Sequence, residues 1–267
     1  MIKENIEDIN RIFNLKLQEQ RDGNKLPGYI YYLGRPSSEL KSTGIPDLPI
    51  ELKAEKLYEK ANTKGHEYDL ESIKDMVNAI QHPLAIFRYG NPAKSQNIIV
   101  ELQKGDRNFL VGLSLNPLVN DNCVEINSVR NIFPKENAEW LHWIEQGKLM
   151  RVDKIKIQNL IDKQRTSLAD VEYLDLDFVT KLINKFDNPI TEEEKIERIS
   201  NISIRNEKER GFYISCKVDG KRMPKERIKD KDIVSLMSGR KDKEDLALKY
   251  YGETLNRKIM DKIGIRR

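Results

Sequence analysis

The sequence predicts an α+β fold: N-terminal helices packed on a four- to five-stranded antiparallel sheet, then further helices and a small α/β tail unit. Three observations lead there. Helical spacing dominates the first 80 residues. Four short runs rich in β-branched and aromatic residues follow between Pro83 and Phe133, separated by turn-rich segments. Beyond Pro134 the helical spacing returns.

Taken in order, Ile6, Ile9, Phe13 and Leu17 repeat at helical intervals. "GYIYYLG" reads as a short strand. Ser37 or Ser38 caps a short helix that Gly44 ends. A helix is expected from about Lys53 to Lys64, stopping near Gly65. Another starts near Asp69 and repeats Ile73, Met76, Val77 and Ile80. "PLAIFRY", "QNIIVELQ", "NFLVGLSLN" and "CVEINSVRNIF" then read as strands. Their short connections favour antiparallel pairing. "KENAEWLHWIEQG" is a helix with Gly147 as its stop, "KLMRV" a fifth strand, and "DKIKIQNLIDKQRTS" and "LDFVTKLINKF" helices.

The expected organisation is an N-terminal helix over 1–28, a main domain over 29–189, a linker over 190–203 and a small basic domain over 204–267. "DNPITEEEKIERIS" carries a proline and a charge run, which suggests the linker. In the last part, "FYISCKVDG" reads as a strand and turn, with two short helices near Asp230–Met237 and Asp242–Tyr251.

The formal charge of +4 is unevenly spread. Residues 191–267 hold 21 Lys and Arg against 15 Asp and Glu, whereas the first 190 hold 26 against 28. Electrostatic attraction to nucleic acid is therefore expected in the C-terminal third. No apolar run approaches the roughly 18–20 residues that span a bilayer, and no signal-peptide pattern opens the chain. A cytoplasmic chain with no membrane contact is expected. Cys123 and Cys216 then read as free thiols in a reducing compartment.

Phosphate loops, dinucleotide-binding glycine patterns, a GxSxG elbow and Cys/His metal spacings are absent from the sequence. No metal and no cofactor is expected. The remaining residues suit phosphodiester chemistry, which needs a proton acceptor, a proton donor and cations on the phosphate. Lys60, Lys64 and His66 offer one such edge. Arg130 in "NSVRN" offers another, since a charge on a central strand must face water, a partner or a ligand. Strict alternation puts Ser128 and Arg130 on one sheet face and Asn127, Val129 and Asn131 on the other. A histidine at a helix end also serves as a simple cap. His82, before Pro83, reads as a turn residue, and His142 as part of a partly exposed helix face.

The run "YYLGRPSSELKSTGIPDLPIELKAEKLYEKANTKGHEYDL" resembles the opening of a family found in phage and mobile-element proteins. The resemblance continues through "HPLAIF", "RNFLVGLSLN", "INSVRNIFPKEN", "WIEQGKLMRVDKIK" and "VTKLINKFDNP". It is similar to the phage branch of the barnase–EndoU–colicin–RelE-like nucleases, which also occurs in phage head-morphogenesis and polyvalent proteins. The resemblance implies N-terminal helices against a four-stranded antiparallel sheet and metal-independent endoribonuclease activity, toxin-like or directed at host RNA. The tail from Phe212 to Tyr251 is similar to a short mobile-element domain of unassigned function.

Carried over residue by residue, the resemblance implies His66, Arg130 and Lys64 as catalytic residues. It implies Lys60, Asn127, Ser128, Asn131 and Lys135 as substrate-binding. The family's fourth-strand pattern, close to N-x-[IV]-R-S-[IV]-Y-P-K, departs here at two places: Asn131 replaces serine and Phe133 replaces tyrosine. Two hydroxyls are lost, and phenylalanine donates no hydrogen bond. The leading expectation is a ribonuclease acting on RNA, with an immunity or mobile-element protein as a further partner. The alternative is an inert module of the same fold that docks to a protein or nucleic acid.

Overall fold

In the computed structural model the described residues are 4–64, 67–119, 124–207 and 211–262; for 116–119, 124 and 253–262 only the backbone is described. They form two compact units, divided between Asn188 and Pro189. Among them no helix is long and apolar enough to cross a membrane.

The first unit begins with α1 (Ile6–Arg21), capped by Asn5, whose side chain accepts from the Glu7 amide. Then come β1 (Ile30–Tyr32), α2 (Ser38–Ser42, capped by Ser37), β2 (Ile50–Lys53) and α3 (Ala54–Ala61). The helix expected from Lys53 therefore starts one residue later, because "IELK" pairs with β1 as a strand. Its expected stop at Gly65 lies outside the described residues.

The next expected helix is broken. A 3-10 turn (Leu70–Ile73) precedes α4 (Met76–Gln81), and Asp75 between them takes a left-handed φ of 66°. The cause is tertiary. The Asp75 carboxylate accepts from Asn10 at 2.7 Å and Asn14 at 3.0 Å, while its amide donates to Asn14. Two α1 amides thus hold a conformation that sequence periodicity does not reveal.

The meander follows as β3 (Ala85–Arg88), β4 (Ser95–Lys104), β5 (Arg107–Val119) and β6 (Val124–Glu136). Next are α5 (Asn137–Glu145), β7 (Leu149–Val152), α6 (Lys154–Lys163), α7 (Arg165–Ala169) and α8 (Leu176–Lys185). The α+β class is observed. β1 and β2 widen the meander and β7 to a seven-stranded sheet, ordered β1-β2-β6-β5-β4-β3-β7. β2 runs parallel to β6, and the other neighbours are antiparallel.

Each sheet face has its own core. On the first face Val111, Leu113, Val129 and Ile132 meet residues of the N-terminal helices, such as Phe13, Leu17, Leu57 and Val77. On the second, Phe87, Ile99 and Leu110 meet Trp140, Leu141, Ile161, Val179 and Ile183 from α5, α6 and α8. Burying a large side chain of this kind contributes about 1.5–3 kcal/mol.

The second unit holds α9 (Glu192–Glu197), β8 (Ile199–Glu207), β9 (Gly211–Val218), β10 (Lys221–Arg222), β11 (Glu226–Arg227), α10 (Asp230–Met237) and α11 (Lys243–Lys262). The segment 190–203, expected as a linker, instead carries α9 and the start of β8. A capping box explains the helix: Thr191 Oγ1 accepts from the Glu194 amide, and the Glu194 carboxylate accepts from the Thr191 amide. β8 pairs with β9, and β10 and β11 pair with the other edge of β9. Ile214, Cys216 and Val218 pack with Leu246, Ala247 and Tyr251 in this unit's core. Burial pushes the Cys216 thiol up to about 11, so it is a packing residue rather than a nucleophile. Cys123 lies outside the described residues.

Candidate functional site

The site is built by one irregularity in β6. Gly112 pairs with Asn131, but Leu113 pairs with Val129, so Arg130 has no opposite residue on β5. This is a β-bulge, and it overturns the strict alternation expected for "NSVRN". Val129 and Ile132, three residues apart, both enter the first core. Asn131 consequently shares the second face with Ser128.

Two polar rows result on that face. Ser95, Ser114 and Ser128 stand in register across β4, β5 and β6, and Glu51 of β2 follows beside Ser128. The next row is Phe87, Asn97, Gly112 and Asn131. A third, Ala85, Ile99, Leu110 and Phe133, is apolar and lies in or against the second core. The helix layer thus covers the third row and Phe87 of the second; Ser95, Asn97 and Gly112 are also buried, and Ser114, Ser128 and Asn131 are half-buried at its margin. Gly112 has no positive φ to explain it. A Cβ there would stand 3.4 Å from both Asn97 Oδ1 and Asn131 Cβ, so the glycine leaves a notch in the row.

Arg130 is the bulged residue next to Asn131. Its guanidinium carbon sits 5.6 Å from the Tyr89 ring centroid, and Tyr89 is 55% exposed. The Arg130 Nε–H is buried and has no hydrogen-bond acceptor. Leaving such a donor unsatisfied costs about 1–3 kcal/mol. Ser95 pins the platform by donating its hydroxyl to the Tyr89 carbonyl at 2.8 Å. The arrangement offers a cation, hydroxyls, amides and an aromatic face on one half-open surface. That set suits a phosphate with an adjoining base.

The other expected site residues divide. Ser128 and Asn131 are half-buried on the same face as Arg130's platform. Asn127 is not: it is fully buried on the first-core side, and its amide donates to the Pro46 and Leu48 carbonyls at 2.9 and 3.0 Å. Lys135 pairs with Glu139 and sits 5.7 Å over the Trp143 ring; burial lowers its pKa. Lys60 lies on α3, whose buried residues join the first core, and its ammonium is 3.4 Å from Glu59. Lys64 is exposed in the turn beyond α3. His66 lies outside the described residues. His82 is the C-cap of α4, 3.5 Å from Glu39, and His142 pairs with Glu145.

Sequence reasoning missed Tyr89, Asn97, Ser114 and Glu51, because they join the site only through strand register. Gly112 inside "NFLVGLSLN" was the readable signal, since glycine in a strand interior often marks a close approach. Among the described residues no three His, Cys, Asp or Glu side chains gather in a metal-binding group.

No curated protein and no solved structure matches the chain. A family model does match residues 58–159, less than half of the chain: the phage MuF C-terminal domain. Over the segment that builds β3 to β6 and carries Arg130, the chain is therefore similar to a domain of phage proteins.

Proposed function

We propose that the first unit binds an RNA phosphodiester at Arg130 and cleaves it by metal-independent acid–base chemistry. The observation that carries this reading is the buried, unpartnered Nε–H of a bulge arginine beside an exposed tyrosine. A phosphate oxygen would satisfy that donor and neutralise the charge. In this reading Arg130 stabilises the charge that develops on the phosphate. Ser128 and Asn131 orient the strand and His66 is assigned the proton transfer, while Lys64, exposed beyond α3 on the side of the first core, contributes only distant positive field. Asn127 and Lys135 act through structure, since both are already engaged.

A second reading has its own support. Asn131 and Phe133 lack the hydroxyls of the related strand pattern, and a unit that keeps Arg130 without a proton-transfer group would bind RNA and release it intact.

The test is cleavage of total RNA by the whole chain with chelator present. Wild type should produce fragments. His66→Ala should lose about 10²–10⁴-fold, the usual scale for a general acid or base, and Arg130→Ala should lose cleavage and weaken binding. Wild-type binding without cleavage supports the docking reading. Absence of both binding and cleavage defeats the RNA assignment.

A further inference from the structure

The second unit carries an electrostatic feature that the first unit's function does not use. Its sheet has one apolar and one basic face. Ile214, Cys216 and Val218 of β9 are at most 2% exposed and face the core. The alternate residues of β9 face outward. Arg205, Tyr213 and Arg227 stand in register across β8, β9 and β11. Ser203 stands beside Ser215, and Ser200, Lys217 and Arg222 form a further row across β8, β9 and β10.

Among the described residues, Arg205, Lys217, Arg222 and Arg227 are exposed, and no ion pair engages any of them. The acid in register on this face is Glu207, held by Lys225 at 2.6 Å, and Lys225 in turn sits 4.8 Å from the Tyr213 ring centroid. Gly211 gives Arg227 its room: a Cβ there would stand 3.4 Å from the Arg227 Nε. The surplus charge of residues 191–267 is thus gathered in part on one sheet surface rather than spread around the unit.

We propose that this face binds the phosphate backbone of a single-stranded nucleic acid. Charge complementarity names the polyanion. Strand spacing puts Arg205 and Arg227 roughly 9–10 Å apart across Tyr213, with the Lys217 row about 13 Å further along β9. That ladder suits a flexible chain of phosphates. An anionic bilayer fits less well, because among the described residues the exposed large apolar side chains of this unit, Val234 and Met237, are on α10 and not on these strands. Guanidinium groups beside a tyrosine are the chemistry of sequence-tolerant strand binding.

The test uses the whole chain and a fluorescent single-stranded oligodeoxynucleotide, which has no 2′-hydroxyl and so cannot be cleaved through one. Anisotropy titrations across a salt series give affinity and its salt slope. Arg205→Ala with Arg227→Ala should weaken binding roughly tenfold or more at low salt, and should flatten the slope by about 1.4, at 0.7 per lost phosphate contact. Lys231→Ala with Lys243→Ala removes the same charge from the helices and should leave the slope unchanged. Equal losses in the two double variants overturn the proposal, leaving only diffuse net charge. No wild-type binding overturns it too, as does capture of anionic vesicles without capture of the oligonucleotide. Neither substitution touches Arg130, so RNA cleavage by the first unit stands or falls separately.

Discussion

Arg130→Met separates a residue kept for ligand from one kept for stability. Methionine retains an unbranched stem at the bulge and removes the charge. Two terms change in the free protein. The Tyr89 contact is lost, about 0.5–1 kcal/mol for an exposed cation–π pair. The buried, unsatisfied Nε–H is also removed, which relieves about 1–3 kcal/mol. The second term exceeds the first, so the variant should be more stable, by about 1 kcal/mol. For a unit of this size that is a rise of roughly 2–4 °C in Tm. Both tryptophans, Trp140 and Trp143, lie in the first unit, so their fluorescence follows its unfolding without interference from the second. The same variant should lose RNA cleavage and bind RNA more weakly. A fall in Tm of more than about 3 °C would refute the reasoning, because it would show that Arg130 holds the fold together rather than waiting for an anion.

Asn127→Ala should act in the opposite sense. It removes two hydrogen bonds to the Pro46 and Leu48 carbonyls but also a buried Oδ1 that has no partner, so the urea midpoint followed by tryptophan fluorescence should report a net loss of only about 1 kcal/mol. RNA affinity per folded molecule should be unchanged. In the second unit, hydrogen bonds from Lys249 hold the Asp232 carboxyl below the usual carboxylate range. A depressed folded pKa gives stability that is present above the unfolded pKa of about 3.9 and is lost as pH falls through the folded value. The protection of amides 243–251 against hydrogen exchange, taken relative to the intrinsic rate at each pH, should therefore fall on acidification below about pH 4, and Asp232→Asn should remove that part of the pH dependence.

The sequence made the class and the meander legible because periodicity and turn residues report local structure directly. Pro83 does mark the change from helix to strand, and "LMRV" does join the sheet. What escaped is what one strand or helix imposes on another. Asp75 breaks a periodic helix because Asn10 and Asn14, more than sixty residues away, bond it. The bulge at Arg130 breaks period two through pairing with β5. Val129 and Ile132, spaced by three, would lie in opposite cores by alternation, and only the pairing shows that both enter the first. Yet some of this had a signature. Thr191 and Glu194 have the spacing of a capping box, and that pattern argued against a linker.

The bulge also gives the two departures from the related strand pattern different weights. Asn131 stands in register with Gly112, half-buried and next in sequence to Arg130. Phe133 stands one row further, packed against the core under α5 and its neighbours. Phe133 is half-buried there, and its ring packs against the core without any hydroxyl. The loss of tyrosine is thus compatible with better packing, and it removes nothing from the open rows. The loss of serine at 131 is the change that bears on chemistry. An amide still donates and accepts, so it can hold a phosphate oxygen, but it is no substitute for a hydroxyl that must give up a proton. In the proposed reading, cleavage of RNA by the first unit therefore turns on a proton-transfer group near Arg130, and far less on the ring at 133.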